Sequence, residues 1–205
     1  TWSRNFGNTE GQLASDLDTG TGGQEDVSVT QDWDLPQLME GANGLLPNNR
    51  THQLKGTAYY VFNPEWTVGG SLIAASGRPR SCTSYYPTWP SPTAGIYNGS
   101  YYHYCGLAGN PSTNTAPSAD YGLSKRGTHG ETPWTIQFNV NVSYRPSWLE
   151  GLTLSADVIN LFNQRVPTFY NDNYATSATQ HNNLYGRAFN YTTPRYMRFT
   201  ARYDF

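Results

Sequence analysis

The sequence predicts an all-β protein whose antiparallel strands cross a membrane as part of a β-barrel. The first observation is the final segment, residues 195–205, which reads R-Y-M-R-F-T-A-R-Y-D-F. Because a strand sends alternate side chains to opposite faces, this segment has one apolar face and one charged face. The second observation is an aromatic content of 15%, with 16 tyrosines. Strands that are apolar outside and polar inside, together with girdles of aromatic residues, are typical of transmembrane barrels.

The remaining composition narrows the class of protein. The chain of 205 residues has a net charge of −2 and a mean hydropathy of −0.65. It contains no apolar run near the roughly 18 residues that a transmembrane helix requires. Its basic residues are scattered, which gives no reason to expect a nucleic-acid partner. The chain begins with Thr1 and has no signal peptide, so we expect it to be a piece of a longer protein.

Alternation of apolar and polar residues predicts six strands, at residues 1–9, 52–62, 66–76, 133–145, 152–162 and 195–205. The clearest is the fourth, in which Ile136, Phe138 and Val140 alternate with Gln137 and Asn139. The first is weak and is carried by two aromatic residues. Six strands cannot close a barrel, since the smallest single-chain barrels have about eight. The sequence therefore predicts further strands upstream.

The connections between these strands differ strongly in length. Residues 63–65 and 146–151 contain Pro with Asn or Gly and predict tight turns. Residues 10–48, 77–131 and 163–194 are long, polar and rich in Gly, Ser and Asn, and they predict loops. Such long loops are uncommon in compact soluble domains. Outer-membrane barrels combine short periplasmic turns with long extracellular loops, and the order of turns and loops here fits that arrangement.

Several short segments carry a resemblance to a known family. They are L-P-N-N-R at 46–50, P-E-W at 64–66, S-G-R-P at 76–79, Y-R-P at 144–146, D-V-I-N-L-F-N at 157–163 and R-Y-D-F at 202–205. In order and spacing they resemble the C-terminal part of TonB-dependent outer-membrane receptors, and they are most similar to the Oar-like branch. Asn-Leu-Phe-Asn before the last strand and the terminal Arg-Tyr-Asp-Phe are the most specific of these segments.

The resemblance implies a 22-stranded barrel in the bacterial outer membrane, closed by an N-terminal plug. Residues 1–205 would supply its last six strands and last three extracellular loops. The implied partners are outer-membrane lipid, the upstream strands and plug, the TonB complex and an unidentified extracellular ligand. The implied function is TonB-energised uptake rather than enzymatic catalysis, with no cofactor and no metal. A passive porin-like barrel and, less favoured, a secreted aromatic-rich binding module remain as alternatives.

The two cysteines, Cys82 and Cys105, lie in the second long loop. An even count in an extracytoplasmic setting predicts one disulfide. Two free thiols are the alternative. A zinc site that combines the cysteines with His103 is disfavoured, because no second pair of ligands has suitable spacing.

The same loop is rich in aromatic residues, and this pattern predicts a surface that captures ligand. The candidate contacts are Tyr85, Tyr86, Trp89, Tyr101 and Tyr102. The alternative is that these side chains pack the loop against its neighbours. No catalytic set of residues stands out.

The charged residues of the last strands have a separate predicted role. Arg145, Asp157, Arg198 and Arg202 are expected to face the barrel lumen or the plug.

Overall fold

The computed structural model describes residues 1–8, 36–90 and 102–205, and its architecture is β with short helical turns. In chain order the elements are β1 (Phe6–Gly7), helix α1 (Pro36–Met39), β2 (Gly44–Leu45), β3 (Gln53–Val61), β4 (Trp66–Ala75), β5 (Tyr104–Cys105), a 3-10 turn (Pro111–Thr113), β6 (Gly122–Leu123), β7 (Thr135–Tyr144), β8 (Leu152–Ile159), β9 (Pro167–Tyr170), β10 (Ala175–Ser177), β11 (Gln180–His181), β12 (Ala188–Tyr191) and β13 (Tyr196–Tyr203). None of the helices in the described ranges is long and apolar enough to cross a membrane.

The main feature is an antiparallel sheet of five strands in the order β13-β8-β7-β4-β3. Apart from the short strand at the start of the chain, these are the strands that the alternation of residues predicts. Consecutive strands of the sheet are neighbours, as in a meander. The antiparallel β class is thus confirmed. Across the described residues the sheet is open, with β3 and β13 as its edge strands, and it does not close into a barrel.

The register places most of the apolar residues of the five strands on one face of the sheet, with exceptions such as Ile73 and Ile159 on the other face. Val140 lies opposite Gly70 on one side and Val158 on the other, and Val158 in turn lies opposite Met197. One residue further along β7, Asn141 lies opposite Asp157, which lies opposite Arg198. Because side chains alternate along a strand, the two rows point to opposite faces. The sheet therefore has one apolar face and one polar face.

The apolar face of the sheet is not covered by other parts of the described chain. Several of its large side chains are exposed, among them Leu154 at 39% and Phe199 at 77%, while others such as Phe138 are partly covered. Apart from Ala75 at the end of β4, the buried apolar residues of the described chain lie in the connections outside the sheet, and they include Ala42, Cys82 and Tyr102. The covered core of the described chain is thus in its loops, while the sheet leaves its own hydrophobic residues open.

The two predicted tight turns lie at the same end of the sheet, where they join β3 to β4 and β7 to β8. In the first, the side-chain oxygen of Asn63 accepts hydrogen bonds from the backbone N–H groups of Glu65 and Trp66, at 3.0 and 2.9 Å. The second contains Gly151 with a φ of +85°, a conformation that favours glycine. The turns are also joined, because the Glu65 carboxylate accepts a hydrogen bond from the backbone N–H of Ser147 at 2.9 Å.

The three long connections lie at the opposite end of the strands. Their described parts contain more secondary structure than the sequence suggests. The second contains β5, β6 and the 3-10 turn, and the third contains β9 to β12. The described part of the first contains α1 and β2. These short strands pair within the loops or with nearby segments. Segments too short to show a periodic residue pattern therefore still form local two-stranded sheets. We call the described residues of the three connections the loop layer.

The prediction of a weak strand over residues 1–9 is confirmed in part for the residues that the structure describes. Only Phe6 and Gly7 pair, with Leu45 and Gly44, and Trp2 makes an isolated bridge to His52. The backbone N–H of Asn5 is instead bonded to the side chain of Asn49 at 2.7 Å. The regular pairing is therefore interrupted at Asn5, while the backbone of Ser3 bonds to that of Thr51.

The motif Asn-Leu-Phe-Asn ends β8 and anchors the third long connection. Asn160 has a left-handed backbone with a φ of +53° and is only 3% exposed. Its side-chain nitrogen donates to the carbonyl oxygens of Gln164 and Thr193, at 3.0 and 2.8 Å. Its side-chain oxygen accepts from the backbone N–H of Gln164 at 3.0 Å. One asparagine therefore joins the end of β8 to both ends of the loop.

Candidate functional site

The predicted disulfide joins Cys82 to Cys105 across 23 residues of the second long connection, with a Cα–Cα distance of 5.4 Å. His129, rather than His103, lies beside the sulfur atoms, with its Nε2 3.5 Å from the Sγ of Cys105. Among the described residues these three form the group close enough to hold a metal ion. Because both sulfurs are used in the disulfide, they cannot act as thiolate ligands.

His103 is instead a buried structural residue. It is 1% exposed, and burial followed by the charge of Arg126 lowers its pKa to about 3. The imidazole is therefore neutral at physiological pH, and it lies where its protonation would be unfavourable.

A group of tyrosines gathers around Glu40, which belongs to the first long connection. The hydroxyl groups of Tyr86 and Tyr104 donate to the two carboxylate oxygens of Glu40, at 2.8 and 2.6 Å. The ring of Tyr104 stacks on that of Tyr121 with centroids 5.5 Å apart. Tyr86 also packs against Tyr102 at 5.1 Å. We call Tyr86, Tyr102, Tyr104 and Tyr121 the aromatic cluster.

The surroundings of the aromatic cluster keep its phenols protonated. Burial, followed by the hydrogen bond to Glu40, raises the pKa of Tyr86 to about 12. The same causes, in the same order, raise the pKa of Tyr104. Burial also raises the pKa of Tyr121, with the neighbouring Tyr104 as the next cause. The phenols of the cluster are therefore neutral, and two of them donate to the Glu40 carboxylate.

The structure distributes the five predicted ligand contacts among different environments. Tyr86 is part of the cluster, and Tyr85 lies beside it, donating from its hydroxyl to the carbonyl of Thr176 at 3.0 Å. Trp89 is half-buried. Tyr102 is completely buried, which corresponds to the packing alternative rather than to a ligand contact. Tyr101 lies outside the described residues.

Sequence reasoning did not select Glu40, Tyr104 or Tyr121. Glu40 and Tyr104 are 64 residues apart, and they meet only because two loops fold onto each other. The high tyrosine content indicates an aromatic surface, but no local pattern identifies which carboxylate accepts the hydrogen bonds of its phenols.

Contacts of a similar kind tie the second connection to the third. Arg80 forms an ion pair with Asp172 at 2.9 Å, and its guanidinium lies 4.2 Å from the ring centre of Tyr170. The hydroxyl of Tyr174 donates to Asp120 at 3.0 Å. The loop layer is therefore linked from the first connection through the second to the third.

The polar face of the sheet carries a separate network of charges. The side-chain nitrogen of Asn141 donates to Asp157 at 2.6 Å, and the other carboxylate oxygen accepts from Arg198 at 3.0 Å. Arg202 lies on the same face and pairs with Asp204 at 2.8 Å. Arg145, the fourth charged residue expected there, comes directly after the end of β7. This face is suited to contact with water or with polar protein groups.

Comparison with known proteins agrees with these features. The chain is 34% identical over 166 residues to the TonB-dependent transporter Oar of Myxococcus xanthus, an alignment that covers 80% of the chain. The chain belongs to the TonB-dependent receptor family. The alignment covers 13% of the length of the relative, so this receptor chain spans a small part of it. No protein-family model and no solved structure matches the receptor chain.

Proposed function

We propose that the five-stranded sheet is a section of the wall of an outer-membrane TonB-dependent receptor, with residues 1–205 forming the C-terminal part of its barrel. The observation that carries this proposal is the exposed apolar face of the sheet, with Phe199 77% exposed. An uncovered surface of this kind is unfavourable in water and favourable against lipid. Strands β4 and β7 have 10 residues each, close to the roughly 9–11 that span a bilayer as a tilted strand.

The polar face then borders the lumen, where Asp157 and Arg198 meet the plug or water. The tight turns are periplasmic and the loop layer is extracellular, as in other barrels of this type. In the full-length protein, strands from upstream sequence pair with β3 and β13, because unpaired backbone groups in lipid cost several kcal/mol each. The resulting receptor takes up an extracellular ligand, and Tyr85, Tyr86 and Trp89 contribute to its capture, whereas the buried Tyr102 supports their packing.

The orientation of the sheet is tested with two neighbouring residues of β7 in the full-length protein. Val140→Arg places a charge on the lipid face, at a cost of about 2–4 kcal/mol near mid-bilayer. Asn141→Arg places the same charge on the lumen face beside the Asp157 carboxylate. We expect the Val140 variant alone to reduce the heat-modifiable, folded receptor in outer-membrane fractions. Equal assembly of the two variants would contradict the assignment of the faces.

Coupling to TonB requires a TonB-box motif, which we expect outside this chain. The family relationship supports such coupling for the full-length protein. The test is binding of the full-length receptor in detergent to the purified periplasmic domain of TonB, with and without the segment that precedes the plug. We expect binding that depends on this segment. Equal binding of both forms, or of neither, would favour a passive barrel.

A further inference from the structure

A groove lies where the start of the chain, the first connection and the second connection meet. It has a volume of about 500 Å³, within the usual range of small-molecule sites. Arg4, Phe6, Leu45, Leu123 and Lys125 supply the side chains of its walls. It is separate from the aromatic cluster, none of whose residues lines it. We call it the basic groove.

The floor of the basic groove is formed by two backbone segments that cross closely. A Cβ atom at Gly44 would collide with the carbonyl oxygen of Arg126, and one at Gly127 would lie too close to that of Leu45. The backbone N–H of Arg126 donates to the carbonyl of Gly41 at 2.8 Å. The two glycines therefore allow a contact that other residues would prevent, and the floor is fixed before any ligand arrives.

A buried guanidinium strengthens this crossing from below. Arg126 is 2% exposed, and its Nε donates to the carbonyl of Ala42 at 2.8 Å. The side chain thus holds the first connection against the second, which keeps the walls of the groove at a constant separation.

The walls combine positive charge with apolar surface. Arg4 and Lys125 are exposed, and no carboxylate belongs to the described residues that line the groove. The rings and methyl groups between them are also accessible, since Phe6 is 54% and Leu123 53% exposed. The Arg4 guanidinium lies 5.4 Å from the ring centre of Phe6 and fixes that ring at the rim.

We propose that the basic groove binds an organic anion whose apolar body packs on Phe6 and Leu123 while its acidic group meets Arg4 and Lys125. The chemistry selects a carboxylate, sulfonate or phosphate attached to an apolar body of one or two rings. This proposal rests on the proposed function, since it names the class of ligand that the loop layer of a receptor would meet. A neutral analogue of the same shape lacks the ionic contacts and binds more weakly.

The test uses the full-length receptor in neutral detergent and two probes of nearly equal shape, naphthalene-2-carboxylate and naphthalene-2-carboxamide. Binding is measured by equilibrium dialysis, with detergent micelles alone as the blank. We expect saturable binding of the carboxylate and at least about tenfold weaker binding of the amide, the size of effect that one charge-assisted hydrogen bond provides. Equal affinities for the two probes would overturn the proposal.

Variants locate the site. Lys125→Met removes the charge and keeps the apolar stem, and it should weaken carboxylate binding about tenfold while leaving amide binding unchanged. Arg187→Met is the matched control, because Arg187 is an exposed loop residue that does not line the groove. Equal effects of the two variants would show that the probe responds to surface charge alone and would overturn the proposal.

Absence of saturable binding by the unaltered receptor would also overturn it. A receptor that assembles as expected in the Val140 and Asn141 comparison but does not bind the probe refutes the groove alone. A receptor that binds the probe but assembles equally with both substitutions refutes the wall assignment alone.

Discussion

Asn160 provides the sharpest test of how the third long connection is anchored. Its side chain is buried and makes three hydrogen bonds, one to Thr193 and two to Gln164. Replacement by glycine preserves the left-handed backbone and removes all three. Replacement by alanine removes them and adds backbone strain.

The expected magnitude follows from these contacts. A typical hydrogen bond contributes a net 0.5–1.5 kcal/mol, so Asn160→Gly should lower the free energy of opening the loop by about 3 kcal/mol. Asn160→Ala should lower it by a further ~1 kcal/mol, because a residue with a Cβ is unfavourable at positive φ. Since each 1.4 kcal/mol is a factor of ten, the population of the open loop should rise about a hundredfold in the glycine variant.

Native-state proteolysis of the full-length receptor measures this population, because cleavage follows the open form when opening and closing are fast. The site to follow is Arg165, which lies inside the loop. Asn163→Gly is the matched control, since Asn163 also has a positive φ but makes a single bond from its side chain, to the backbone N–H of Arg195 at 3.0 Å. A cleavage rate in Asn160→Gly no higher than in the control would refute the reasoning.

Two further predictions concern the loop layer. Replacing both cysteines of the disulfide with alanine should cost about 3 kcal/mol of loop stability on the chain-entropy account, seen as faster chymotryptic cleavage of the second connection in the full-length receptor. An unchanged rate would show that the tyrosine contacts alone hold that loop. At alkaline pH the hydrogen bond from Tyr86 to Glu40 should be lost, because the phenol loses the proton that it donates. The pKa of Tyr86 is raised from 10.0 to about 12 on folding. The stabilisation is complete below pH 10 and disappears as the pH approaches 12, and Tyr86→Phe should remove one late-titrating phenol from the tyrosinate absorbance curve. A wild-type curve identical to that of the variant would contradict the assignment.

The positions of the main strands could be predicted from the sequence because each has one apolar and one polar face. Val140 and Asn141 differ only in chemistry, and that difference fixes which face each occupies and hence the register with Asp157. The tight turns could also be predicted, because asparagine side chains often accept turn hydrogen bonds, as Asn63 does, and glycine favours positive φ, as at Gly151. Local patterns of this kind need no knowledge of the rest of the fold.

The loop layer could be predicted only in outline. The disulfide followed from a count of two cysteines, whereas the ion pair of Arg80 with Asp172 joins residues 92 positions apart and has no local signal. The burial of Tyr102 has the same origin, because it depends on how separate loops pack. The first strand is shorter than predicted, and no local pattern indicated that the side chain of Asn49 would accept the hydrogen bond of the Asn5 backbone N–H.

The carboxylates of Glu40, Asp120 and Asp172 each accept a bond from a residue of a different long connection. A connection transplanted singly into another protein would lose these partners, so we expect chimeras that exchange one loop at a time to be destabilised. The described parts of the three connections therefore form one interlinked unit. Directed evolution of the loop layer should accordingly vary residues at the tips of the loops and leave these three acids in place.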